Sequence, residues 1–183
     1  RRTDTLAADR KKQETEADTT IDTLVKRNES MVEAYLARWR YRRDFDLLQV
    51  RETANRGNIA LDIAAEDITQ ALQRDPKSID VLLCAADLER LRGRAASEDP
   101  LRNAEQRKAG LKKHRDQAFA HLSRGLEILA NSKDGRSPEE SGKFQLLWHK
   151  ANLLLDDLDS RDGEQLAKVR PDIESTIEQV RKT

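Results

Sequence analysis

Residues 64–76 read AAEDITQALQRDP, and the spacing Ala64-x3-Ile68-x2-Ala71-x4-Pro76 decides the fold. Positions three and four apart stack on one side of an α-helix, so Ala64, Ile68 and Ala71 share a face. A face built small–large–small lets a second helix approach closely. Asp75-Pro76 closes the helix, because proline disfavours helical geometry in the residue before it.

The pattern recurs along the chain. Ala118-x3-Leu122-x2-Gly125 repeats it, and Ala17-x3-Ile21-x2-Leu24 and Val169-x3-Ile173-x2-Thr176 are looser copies. Between these lie more apolar helices, Ala34–Tyr41, Val81–Leu88 and Leu147–Leu154. A helix apolar on two adjacent faces must be sandwiched between neighbours.

About seven helices are expected. The first covers about Thr3 to Asn28. The second follows Ser30 as N-cap and runs on through Phe45 and Val50 to Asn55, with Gly57 as its stop signal. The third spans about Ala60 to Arg74. Ser78 caps the fourth, Ile79 to about Ala95. The fifth runs from Pro100 to Ala130. The sixth opens at Pro138 and reaches about Leu158. The seventh runs to the end, with Pro171 as a kink point. Gly and Pro number only 7 and 4. Folds with many tight turns need more of both, so few connections and long helices follow.

Lys+Arg and Asp+Glu both total 34, so the formal net charge is zero. That removes the global electrostatic argument for nucleic acid or an anionic membrane. No run of about 18 apolar residues is present to span a membrane. The single Cys84, in the apolar setting VLLCAADL, has no intrachain disulfide partner and reads as a packed core thiol. It leaves the compartment open, with the cytoplasm favoured. The chain has no initiator Met and no signal-like segment, and reads as an excised fragment.

The alternation of helix types resembles the tetratricopeptide repeat, whose second helix carries Ala, an aromatic or aliphatic residue, Ala and then Pro at these spacings. Ala64–Pro76 followed by Ile79–Gly93 is the best match, with Gly93 where that family turns between helices. The segments YLARWRYRR and LLWHKANLLLDD further resemble large repeat proteins of bacterial origin. The sequence departs from the family in extra residues around Leu47–Asn58 and Ala96–Arg115, in Trp39 at a position usually small, and in Ala130 in place of a closing Pro. The resemblance implies an all-α fold, antiparallel helix-turn-helix repeats in a right-handed α-solenoid. It implies one domain over 1–183, with repeats at 1–28 (partial), 30–76, 78–131 and 138–183. The rival architecture is a plain helical bundle.

The other motifs read as surface or core. Arg38-Trp39-Arg40-Tyr41-Arg42-Arg43 alternates cations and aromatics, yet these side chains do not share a helix face. Trp39 groups with Val32, Tyr35 and Leu36, and arginine stems cover it. Arg102, Arg107, Lys108, Lys112, Lys113 and Arg115 form a basic half-helix flanked by Glu98, Asp99, Glu105 and Asp116, which reads as a solvated hairpin. His114, His121 and His149 lack HExxH or CxxC company, so no metal is expected. Asp156, Asp157 and Asp159 lack calcium-loop spacing. No phosphate loop, nucleophile elbow or His–Cys pair is present, so no enzyme activity and no cofactor are expected.

The expected function is a scaffold that holds a protein or peptide partner on a concave surface. By the family's pattern, that surface would carry Glu33, Leu36, Ala37, Arg40 and Arg43 in one repeat. It would carry Asp80, Leu83, Cys84, Asp87 and Arg90 in the next, then His149, Lys150, Leu153 and Asp156. The Lys/Asn clamp for a C-terminal carboxylate is not reproduced. The alternative is a structural spacer within a longer solenoid. The final helix carries Leu166, Val169, Ile173, Ile177 and Val180, more apolar surface than one neighbour covers. Further repeats after Thr183, or self-association through that helix, are therefore expected.

Overall fold

A computed structural model of the chain describes residues 2–46, 54–131, 138–156 and 163–181. Side chains are described for these except 2–8, 10, 45, 46, 54–60, 138–141, 155, 156, 163–166, 168, 169, 180 and 181. Among the described residues there are seven α-helices and no strand: α1 (Arg2–Arg27), α2 (Val32–Tyr41), α3 (Ala54–Arg74), α4 (Ile79–Glu98), α5 (Ala104–Asn131), α6 (Pro138–Asp156) and α7 (Gly163–Arg181). A π-helical turn, Arg42–Asp46, follows α2. The chain divides into two compact units, Arg1–Asp75 and Pro76–Thr183.

In the first unit α2 packs mainly on α3, and α1 packs on α2. The small–large–small stripe is the buried face of α3, with Ala64, Ile68 and Ala71 almost fully covered. Trp39, Tyr35 and Leu36 are buried on α2, as expected of a doubly apolar helix. The α1 copy of the pattern is out of register. Leu24 is 41% exposed, and its neighbour Val25 takes the core position. Over 11–20 the side chains of α1 are mostly exposed. The hydroxyls of Thr15, Thr19, Thr20 and Thr23 donate to carbonyls four residues back, so the polar helix satisfies its own side chains.

Three expected boundaries in this region are corrected. Ser30 sits in the turn, and Met31 occupies the N-cap of α2 in an extended conformation with no side-chain cap. The turn is held instead by the Met31 amide donating to the Asn28 carbonyl at 2.9 Å. The α-helix of the second segment stops at Tyr41 and widens into the π turn, whose Arg42 reaches Asp67 on α3. Gly57 is no stop signal, since it lies inside α3. Residues 47–53 lie outside the described ones.

In the second unit Ser78 caps α4 as expected, its Oγ accepting from the Val81 amide at 3.4 Å. Helices α4 and α5 form the most extensive pair. Their contacts run antiparallel: Glu89 meets His114, Gly93 meets Leu111 and His114, and Ala96 meets Gly110. The extra residues around 96–115 therefore prolong a helical hairpin. Gly93 is not a turn but an interior α4 position where α5 approaches closely. Pro100 does not open α5 either. That helix starts at Ala104 behind a reciprocal cap, in which Asn103 Oδ1 accepts from the Gln106 amide at 2.9 Å and Gln106 Oε1 accepts from the Asn103 amide at 3.1 Å.

Helix α6 packs against α5 and α4, and α7 packs on α6. The core gathers Leu83, Ala86, Ala118, Leu122, Leu146 and Leu153. At Gly125 a Cβ would lie 2.8 and 2.9 Å from the two Leu146 methyl carbons, so only glycine admits α6 this closely without a shift. On α7, Ile173 and Thr176 are buried, while Ile177 is partly exposed. The side chains of Leu166, Val169 and Val180 lie outside the described residues. Pro171 lies inside α7.

Ala71 has no exposed surface, so Ala71→Leu should overpack the α3 interface and cost about 1–3 kcal/mol. Urea denaturation of the two proteins checks this, and coincident midpoints would contradict the assigned register.

Candidate interaction surface

The residues expected on a partner-facing surface separate by burial. In the first unit Glu33 and Arg40 are exposed. Ala37 and Arg43 are part-buried, with Arg43 Nε donating to Asp44 Oδ1 at 2.7 Å. Leu36 is not a surface residue. It lies in the core with Trp39, because the apolar arc of α2 is wide enough to be covered on two sides.

The same stretch holds a feature that the sequence reading missed. The Asp67 carboxylate is fully buried. Its Oδ1 accepts from Arg38 Nη2 at 2.6 Å and Nε at 3.0 Å, and its Oδ2 accepts from Arg42 Nη1 at 3.0 Å. Asp22 on α1 completes the network, with Oδ1 at 2.9 Å from Arg38 Nη1 and 3.5 Å from Arg42 Nη2. Burial alone would make the Arg38 guanidinium easier to deprotonate. The hydrogen bonds and charges of Asp67 and Asp22 outweigh it and hold the guanidinium pKa above its ordinary value. A buried carboxylate costs several kcal/mol unless paired and fully hydrogen-bonded, and the guanidiniums of Arg38 on α2 and Arg42 in the π turn meet that demand here.

A second set of polar contacts lies beside it. Arg74 Nε donates to the Glu29 carbonyl at 2.7 Å, and Arg74 Nη2 donates to the Tyr35 hydroxyl at 2.9 Å. The Arg74 guanidinium carbon also sits 4.4 Å from the Tyr35 ring centre. Arg38, Tyr41 and Arg42 of the Arg–aromatic alternation, together with Arg74, thus tie helices together within the unit.

In the second unit Asp80 is exposed, and Asp87, Arg90, His149 and Lys150 are part-buried. Leu83, Cys84 and Leu153 are buried, so the two leucines serve the core rather than a partner. Asp156 ends α6, and its side chain lies outside the described residues. Beside His149 and Lys150 stands a second missed feature. Phe144 and Trp148 are 43% and 52% exposed, and their rings stack with centroids 6.3 Å apart and planes 11° apart. Phe144 lies one turn before Trp148, at the edge of the apolar arc of α6. An aromatic pair at i, i+4 beside a buried stripe is a signal the sequence does carry.

Part of the basic stretch 102–115 is engaged by its own neighbours. Arg102 Nε meets Asp99 Oδ2 at 3.0 Å, Lys112 Nζ meets Asp116 Oδ2 at 2.6 Å, and Arg115 sits 5.4 Å from the Phe119 ring centre. Deeper in the hairpin, the buried Glu89 carboxylate accepts from His114 Nδ1 at 2.7 Å and Arg92 Nη1 at 3.1 Å. Burial holds His121 below the ordinary histidine range. The Glu89 charge acts against that shift and the Arg124 charge reinforces it. Among the described residues, no three His, Cys, Asp or Glu side chains are grouped to hold a metal. No described helix is long and apolar enough to cross a membrane.

Asp67→Asn should cost about 1.5–3 kcal/mol, the range for hydrogen bonds to charged groups. Asp22→Asn should cost less than about 1 kcal/mol, because that carboxylate is 49% exposed. Denaturant unfolding at neutral pH compares the two, and equal losses would contradict the burial argument. His121 gives a pH dependence of defined sign. Its folded pKa is depressed, so the unfolded chain binds the proton first. The associated stability is present above the unfolded value of 6.5 and is lost as pH falls through it toward the lowered folded value. His121→Asn should therefore lose less stability than the parent between neutral and mildly acidic pH, and identical losses would contradict the assignment. Compared with protein-family models, with curated proteins and with solved structures, the chain matches none.

Proposed function

We propose that the chain is a tetratricopeptide-like helical-repeat scaffold that holds a protein or peptide partner. The observation that carries this reading is the recurrence of one buried stripe. Ala64, Ile68 and Ala71 on α3 and Ala118, Leu122 and Gly125 on α5 are all buried at identical spacing, and Ile173 and Thr176 on α7 follow suit. A bundle needs buried stripes but no common register; a repeat array needs both. Within the second unit α4 also touches both α5 and α6, as an inner helix of a stacked hairpin array would. In this reading the solenoid is right-handed, and the inner helices α2, α4 and α6 present the partner-facing side chains.

Those side chains are Glu33 and Arg40 on α2, Asp80, Asp87 and Arg90 on α4, and His149 and Lys150 on α6. Phe144 and Trp148 join them as the aromatic anchors. Partly exposed aromatic residues dominate binding energy at protein interfaces, whereas a mixed-charge rim sets register and specificity. The spacer alternative is favoured by one observation. Some exposed charges on the outer helices pair within their own helix, Lys12 with Glu16, Lys112 with Asp116 and Arg170 with Glu174, and call for no outside partner.

The two tryptophans separate these readings. Trp39 has no exposed surface and Trp148 has half of its surface exposed, so added acrylamide should quench Trp148 selectively. On the scaffold reading, immobilised protein retains a defined partner, that partner shields Trp148 from quenching, and Trp148→Ala weakens binding by roughly thirtyfold, the loss expected for an aromatic hot spot worth about 2 kcal/mol. Recovery of no partner, or equal recovery by the folded Trp148→Ala variant, would favour the spacer.

A further inference from the structure

We draw no further inference here: the strongest candidate, the exposed Phe144–Trp148 stack on α6, belongs to the surface already described, and nothing in the structure shows what covers it.

Discussion

Two helices can lie close together only where the side chains between them are small, and the arrangement of both units depends on that condition. Ala64 and Ala71 supply it on α3, and Ala118 and Gly125 supply it on α5. The single large residue between each pair, Ile68 or Leu122, fills the space that the small ones leave and fixes the lateral position of the neighbour. The α4–α5 hairpin extends the same logic outward through Gly93 and the Ala96–Gly110 contact. Small residues repeated every three to four positions thus hold a long two-helix arm together with little bulky apolar surface, consistent with a chain that is only 37% hydrophobic.

Charge plays a different part in each region. On the outer faces it is local and solvated, and pairs of this kind contribute little to stability. At Asp67 and Glu89 it is buried, and each carboxylate is matched by donors from a neighbouring helix or its own. Leaving either carboxylate without its donors would cost far more than any surface pair returns. The 37% charged composition therefore conceals a few carboxylates that specify which helix faces which.

Most of the architecture was legible because helical periodicity and the scarcity of turn residues both point one way. Ser78, Asp75-Pro76 and the stripe in α3 behave as read. The boundaries failed where local signals competed. Ser30 is a good capping residue and Pro100 a good first-turn residue by type, but Met31 and Asn103 hold the positions where the chain enters the helices. Glycine misled twice, at Gly57 and Gly93, because in this chain it serves helix interiors. Asp67 was within reach: positions 64, 67, 68 and 71 form one continuous helical stripe, which makes a carboxylate at 67 a buried one. Its pairing with Arg38 and Arg42 was not, since that depends on how α2 lies across α3. The assignment of Leu36 and Leu83 to a partner-facing row followed the resemblance, and the wider apolar arcs of α2 and α4 place them inside.

The packing of α6 on α5 rests most directly on the close approach at Gly125, and a double-mutant cycle with Leu146 measures it. Alanine in a helix interior is favoured over glycine by about 0.5–1 kcal/mol, so with no close neighbour Gly125→Ala should stabilise. Here the new methyl would stand less than 3.0 Å from the buried Leu146 side chain. The account predicts that Gly125→Ala lowers the denaturation midpoint in the parent and raises it in a Leu146→Ala background, where the methyl enters vacated space. Stabilisation of the same size in both backgrounds would contradict it.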